Sequence, residues 1–75
     1  MSDITLHDVK HHDVKNVGHW RKEDGSKLIV TLEDSRVFIT KRPYTERAAE
    51  SIGREVKRNG YVTSKNLFEN WTELV

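Results

Sequence analysis

The sequence predicts an α+β fold in which a small antiparallel β-meander of three to four strands packs on one amphipathic helix, with a short C-terminal helix after it. Two patterns in the 75 residues indicate this fold. Apolar and polar residues alternate between Gly18 and Lys41, as in half-buried strands. After Pro43 the apolar residues recur at the period of a helix. A chain this short has room for one domain, so we expect residues 1–75 to form a single domain.

The first turn of the meander falls in the sequence KEDGS. Gly25 suits the left-handed position that ends a three-residue loop, and this loop places Trp20 opposite Leu28. A two-residue loop at Asp24 and Gly25 would instead turn Arg21 toward the core, where an unpaired guanidinium is costly. We therefore expect the three-residue loop and a core position for Trp20.

The second turn allows a two-residue loop at Asp34 and Ser35, which pairs Val30 with Ile39. Directly opposed residues share a face of the sheet. The expected core face then consists of Trp20, Leu28, Val30, Leu32, Val37 and Ile39. The opposite face consists of Val17, His19, Arg21, Ile29, Thr31, Phe38 and Thr40.

A helix is predicted over residues 45–59. Thr45 can cap its start, and Gly60 can end it in the left-handed conformation. Gly53 lies within the helix, where glycine is unfavourable, and this indicates a close approach to the sheet. The apolar stripe consists of Ala48, Ala49, Ile52 and Val56.

The two ends of the chain are less regular. Residues 62–75 fit a helix capped by Thr63 or Ser64 better than a strand. This helix would group Leu67, Phe68, Trp71 and Leu74 on one face. At the other end we expect a strand near residues 3–9, and the sequence leaves open whether residues 1–16 are ordered.

A tandem near-copy, HDVKH followed by HDVKN, brings His7, His11 and His12 close to Asp8 and Asp13. Imidazole and carboxylate groups are plausible zinc or nickel ligands. A shift of five residues changes the direction of the side chain in both a helix and a strand, so the two copies cannot present the same groups together. We therefore predict no metal site.

No catalytic residue and no cofactor are predicted, because the chain has no cysteine, no phosphate-binding glycine loop and no nucleophile motif. The absence of cysteine favours a reducing compartment, and we expect a cytoplasmic protein. Neither a membrane span nor a secretion signal is recognisable, so no membrane partner is expected.

The charge is unevenly distributed. Residues 36–65 contain eight basic and three acidic side chains, a local net charge of +5, while the rest of the chain carries −4. A basic helix face can contact phosphates, although no nucleic-acid reading motif accompanies it. The residues of this alternative nucleic-acid site are Arg42, Arg47, Arg54, Lys57 and Arg58.

The function that the sequence favours is a non-catalytic binding or regulatory module that docks on another protein. The sheet face away from the helix mixes apolar residues with arginine, as interfaces do. The expected docking residues are His19, Arg21, Ile29, Phe38 and Trp71. Two alternatives stay open: the N-terminal segment or the last helix covers this face, or a second copy does so in a homodimer.

Overall fold

The computed structural model describes residues 10–74, which form a curled antiparallel sheet of five strands with two helices. The elements are β1 (His11–Lys22), β2 (Gly25–Leu32), β3 (Val37–Thr40), α1 (Glu46–Asn59), β4 (Tyr61–Thr63), α2 (Ser64–Asn70) and β5 (Trp71–Leu74). The α+β class, the meander and both helices are confirmed, and the described sheet has five strands rather than three or four. The strand expected near residues 3–9 lies outside the described residues.

The strands lie in the order β4-β1-β2-β3-β5, and every neighbouring pair is antiparallel. The meander β1-β2-β3 forms the centre. After α1 the chain returns beside the start of β1, where His11 pairs with Thr63, and α2 then carries it to the far edge. There β5 pairs with β3, so α2 joins the two outermost strands.

The core lies between the sheet and α1, which packs on β1 and β2. The buried apolar residues are Val17, Leu28, Val30, Leu32, Phe38, Ala49, Val56, Val62, Leu67 and Trp71. The close approach predicted at Gly53 is confirmed: a Cβ atom there would lie 3.3 Å from His19 Nε2 and 3.5 Å from Leu28 Cδ2. We call the face of the sheet that α1 covers the inner face, and the opposite one the outer face.

Both predicted caps of α1 are confirmed. Thr45 is the N-cap, and its Oγ1 accepts a hydrogen bond from the Ala48 N–H at 3.2 Å. Gly60 has a φ of 80° and donates its N–H to the Val56 carbonyl at 2.8 Å. These bonds satisfy backbone groups that have no partner within the helix, so the sequence defines both ends of α1.

The predicted second turn is wrong by one residue. The loop has three residues: Leu32 donates to the Arg36 carbonyl at 2.8 Å, and Ser35 takes a left-handed φ of 77°. Val30 therefore pairs with Phe38, which turns Val37 and Ile39 to the outer face. The left-handed serine is unfavourable, but this register buries the Phe38 ring, which is only 2% exposed.

Thr40 also moves to the inner face, where its Oγ1 accepts a hydrogen bond from the Leu28 N–H at 3.1 Å. This bond gives the buried hydroxyl a partner. Burying the hydroxyl without a partner would cost free energy. Thr40 is 1% exposed. The sequence pattern had placed Thr40 on the outer face together with Phe38, and both assignments are wrong.

The predicted first turn is also wrong. Glu23 and Asp24 form a two-residue loop, and Lys22 pairs with Gly25, whose φ is 134°. Glycine is required at position 25 because a Cβ atom would lie 2.7 Å from the Tyr44 carbonyl oxygen. Trp20 consequently lies on the outer face. Three other residues of β1 were expected on the outer face and lie on the inner face instead: Val17, His19 and Arg21.

The C-terminal segment combines the two structures that its sequence left open. Thr63 caps α2 by accepting a hydrogen bond from the Asn66 N–H at 3.2 Å, as predicted. The helix ends at Asn70, however, and Trp71 to Leu74 form an edge strand. Pairing with β3 explains the change, because it places Trp71 opposite Thr40 on the inner face, where the indole is 4% exposed.

Candidate functional site

The outer face carries an apolar strip that runs across four strands. The register places Ile29 opposite Ile39 and Val37 opposite Leu74, and Trp20 lies on the same face of β1. None of these five side chains belongs to the core cluster. We call them the outer strip.

The outer strip is buried at its centre and open at its ends. Ile39 is only 7% exposed, and Ile29 and Val37 are partly buried. Trp20 is 49% exposed at the β1 end, and Leu74 is 46% exposed at the β5 end. Exposed apolar side chains at the ends of such a strip, one of them an aromatic ring, are typical of a protein interaction site.

Gly18 leaves a notch in this surface beside Trp20. It lies two residues before Trp20 on β1 and pairs with Ile29. Apart from its chain neighbours, no atom of the described residues lies within 4 Å of the place where a Cβ atom would be, and its φ is not in the left-handed region. Neither close packing nor backbone conformation within the described chain therefore requires glycine here.

One edge of β1 has no strand beside it over residues 15–22 in the described part of the chain. Ser26, the partner of Arg21, exchanges two hydrogen bonds of 2.8 Å with Tyr44 on its far side, so Ser26 and Arg21 turn their backbone groups away from each other. In an antiparallel pair this direction alternates. Val17, His19 and Arg21 therefore present their N–H and C=O groups at the unpaired edge.

The five docking residues predicted from the sequence do not form one surface. Phe38 and Trp71 lie in the core, and only Ile29 is on the outer face. His19 and Arg21 lie beside α1, and the Arg21 guanidinium is 3.3 Å from the Glu46 carboxylate. Sequence reasoning missed several outer-face residues, namely Gly18, Trp20, Val37 and Leu74. A register chosen to bury the large ring of Phe38 would have placed Val37 correctly.

The five basic residues of the predicted nucleic-acid site lie in different places. Arg47, Arg54 and Arg58 are spaced by seven and four residues, which places them in one row on the side of α1 opposite its buried residues. All three are exposed. Lys57 projects from another side of α1, and the Arg42 guanidinium lies 5.2 Å from the Tyr44 ring centroid, outside the helix.

An ion pair lies at the inner edge of β3 and β5. Arg36 Nε and Nη2 each donate to one carboxylate oxygen of Glu73 at 3.0 Å, and the guanidinium lies 5.1 Å from the Phe38 ring centroid. The hydrogen bond to Arg36 is the main cause that lowers the pKa of Glu73, while its partial desolvation opposes this. The same bond raises the pKa of Arg36. The pair holds β5 against the end of β3.

The histidines near the start of β1 make structural contacts. The His11 ring stacks on Tyr61 with centroids 3.8 Å apart, and His12 Nε2 lies 2.6 Å from Ser64 Oγ. A recess of about 290 Å³ beside them is lined by Lys10, His11, His12, Asp13, Leu32, Glu33, Asp34 and Arg36. Over residues 10–74, no group of three or more histidine, aspartate or glutamate side chains is arranged to hold a metal ion. His7 and Asp8 lie outside the described residues.

No helix in residues 10–74 is long and apolar enough to cross a membrane. No protein-family model, curated protein or solved structure matches this chain. The fold and the outer face define a small α+β domain whose curled five-stranded sheet carries an apolar strip on the side away from α1.

Proposed function

We propose that this chain is a small non-catalytic binding module that docks on another protein through the outer strip. The observation that carries the proposal is the exposure of Trp20 and Leu74, which are 49% and 46% exposed at the two ends of the outer strip. Aromatic side chains in such positions contribute strongly to protein binding, because a partner can bury a large rigid surface against them.

The chemistry of the surface supports a protein partner rather than a small substrate. The outer strip is apolar and ends in an exposed indole, whereas the recess beside His11 and His12 is lined mainly by charged side chains. We further propose that it acts in the cytoplasm, since the chain has no cysteine for a stabilising disulfide.

Affinity capture with matched variants tests the docking proposal. Leu74→Asp places a carboxylate on the outer strip, and Ser51→Asp places one on the exposed side of α1. In a nuclease-treated lysate of the source cells, wild type and Ser51→Asp should retain the same protein, and Leu74→Asp should lose it. Equal capture by both variants, with circular dichroism unchanged, would contradict docking at the outer strip.

The arginine row of α1 favours a second candidate function, nucleic-acid binding. Arg47, Arg54 and Arg58 point away from the core, and neither ion pair found among residues 10–74 involves them. If they contact phosphates, affinity for generic DNA or RNA should fall steeply with salt. Arg54→Ala with Arg58→Ala should reduce that slope, and Lys65→Ala on α2 should leave it nearly unchanged. Binding that does not depend on salt, or no binding, would remove this candidate.

A further inference from the structure

We propose that two copies of this chain pair their β1 strands antiparallel along the unpaired edge, with His19 opposite its counterpart and Trp20 of each copy over Gly18 of the other. The two sheets would then join into one sheet of ten strands. The partner is a second copy of this chain, and the inference does not depend on docking at the outer strip.

The backbone of β1 fits this register. Val17, His19 and Arg21 present their N–H and C=O groups at the unpaired edge. With His19 opposite His19 of the second copy, each Val17 lies opposite an Arg21. Each of these residues therefore faces a residue whose N–H and C=O groups also point toward the shared edge. The six residues would form hydrogen-bonded pairs that alternate with non-hydrogen-bonded pairs, as an antiparallel ladder requires. A shift of one residue would lose this match.

The side chains of the outer face are complementary in the same register. Trp20 would lie opposite Gly18 of the second copy, in a pair without backbone hydrogen bonds, where side chains come closest. The indole is 49% exposed, and the space beside Gly18 is open as far as residues 10–74 show. Glycine within a strand is unfavourable and often marks a place where another group approaches closely. Because the two copies are related by a two-fold axis, the contact between the Trp20 ring and Gly18 would occur twice.

The helices would also meet with complementary charges. Glu46, Glu50, Gly53 and Lys57 are spaced as one side of α1, and this side faces β1, because Glu46 pairs with Arg21 and Gly53 approaches His19. Two helices that each lie over β1 and β2 would run side by side roughly 10 Å apart, a normal packing distance. Their antiparallel course places Glu50 near Lys57 of the second copy.

Positive charge on the edge of β1 does not oppose the pairing strongly. Lysine on an edge strand often prevents association between sheets. Here the Arg21 guanidinium is already paired with Glu46, and the Lys22 ammonium lies 4.9 Å from the ring centroid of its own Trp20. Two of the three lysine and arginine side chains in residues 15–22 are therefore partly balanced within each copy. A second copy is favoured over an unrelated strand because the notch, the ring and the helix charges all belong to this chain.

The mass of the protein in solution tests the proposal. Light scattering over a dilution series should give wild type twice the mass of the 8.8 kDa chain at high concentration. Gly18→Val fills the notch that Trp20 needs, so the dissociation constant should rise about tenfold or more. The control Thr72→Val, on the outer face of β5, should behave as wild type. Trp20→Ala combined with Gly18→Val should restore part of the association, because the new pair fits again.

A charge exchange provides the second arm. Glu50→Lys or Lys57→Glu alone should weaken association, and the double variant should regain it. Unfolding curves at low concentration establish that each variant is folded. Wild type that stays monomeric up to about 1 mM overturns the proposal and leaves the edge to a strand of another protein. Gly18→Val that dimerises as wild type also overturns it. Docking at the outer strip would survive either result, since Leu74 tests it separately.

Discussion

Trp20 and Gly18 lie two residues apart on the outer face of β1, and the largest apolar side chain of the strand stands beside a position with no side chain at all. The indole is 49% exposed, and no atom beyond the chain neighbours of Gly18 lies within 4 Å of a Cβ atom placed there, within the described residues. In the proposed antiparallel pairing, the Trp20 ring of each copy would fill the space beside Gly18 of the other.

Gly18→Val should not destabilise the isolated chain. The Cβ atom of the added side chain meets no other described residue, and a β-branched residue suits a strand better than glycine. We expect the free energy of unfolding to rise by about 0.5–1 kcal/mol, measured by urea denaturation at low protein concentration. A fall of more than about 1 kcal/mol in the free energy of unfolding would mean that Gly18 has a structural role within one chain.

Gly25→Ala should destabilise more than Gly60→Ala, although both glycines have positive φ. A Cβ atom at position 25 would lie 2.7 Å from the Tyr44 carbonyl oxygen, while one at position 60 would have no described residue within 4 Å beyond its chain neighbours. Gly60→Ala should cost about 1–2 kcal/mol, the cost of the left-handed conformation alone. Thermal and urea unfolding of the two variants measure the difference. Equal losses would contradict the contact between Gly25 and Tyr44.

Phe38→Ala should strongly destabilise the chain, and Val37→Ala should not. Phe38 is in the core and 2% exposed, so its removal should cost about 3–5 kcal/mol. Val37 lies on the outer face and is only partly buried, so we expect a loss of about 1 kcal/mol or less. Urea unfolding distinguishes the two registers of β3, because the register predicted from the sequence reverses this order.

The Arg36–Glu73 pair should make stability depend on pH in the acid range. The pKa of Glu73 is lower in the folded chain than in the unfolded chain, chiefly because Arg36 donates hydrogen bonds to the carboxylate. The contribution is therefore complete above the ordinary pKa of a glutamate and is lost as the pH falls through the lowered value.

Glu73→Gln should reduce the loss of stability between neutral and acid pH, and Glu69→Gln, an exposed change on α2, should leave it as in wild type. Unfolding by urea at a series of pH values measures both variants. If the two lose stability in acid to the same extent as wild type, the pair does not act as the structure indicates.

The sequence was sufficient to predict α1 because its signals are local. Thr45 and Gly60 cap the helix through bonds to residues three or four positions away, and the apolar stripe has a regular period. Gly53 also predicted the close contact with the sheet correctly. These features depend on neighbouring residues and need no knowledge of the rest of the fold.

The strand registers depend on distant contacts, and the sequence could not provide them. The role of Gly25 is set by Tyr44, which lies nineteen positions away, and Ser35 adopts a conformation that serine seldom takes. A bulge between Val14 and Asn16 interrupts the alternation of apolar and polar residues, so the start of β1 is not recognisable from the sequence. One wrong register reverses a whole strand, so the predicted docking face contained core residues.

Contacts between copies give the most direct test of the surface around Trp20. An isotope-filtered nuclear Overhauser experiment on a mixture of labelled and unlabelled chain detects only intermolecular contacts. We predict cross-peaks between the Trp20 ring protons and the α-protons of Gly18. Their absence at concentrations where the protein is dimeric would contradict the account. Cross-peaks from the Trp20 ring to Ala49 within one chain, in an ordinary unfiltered spectrum, would also contradict it.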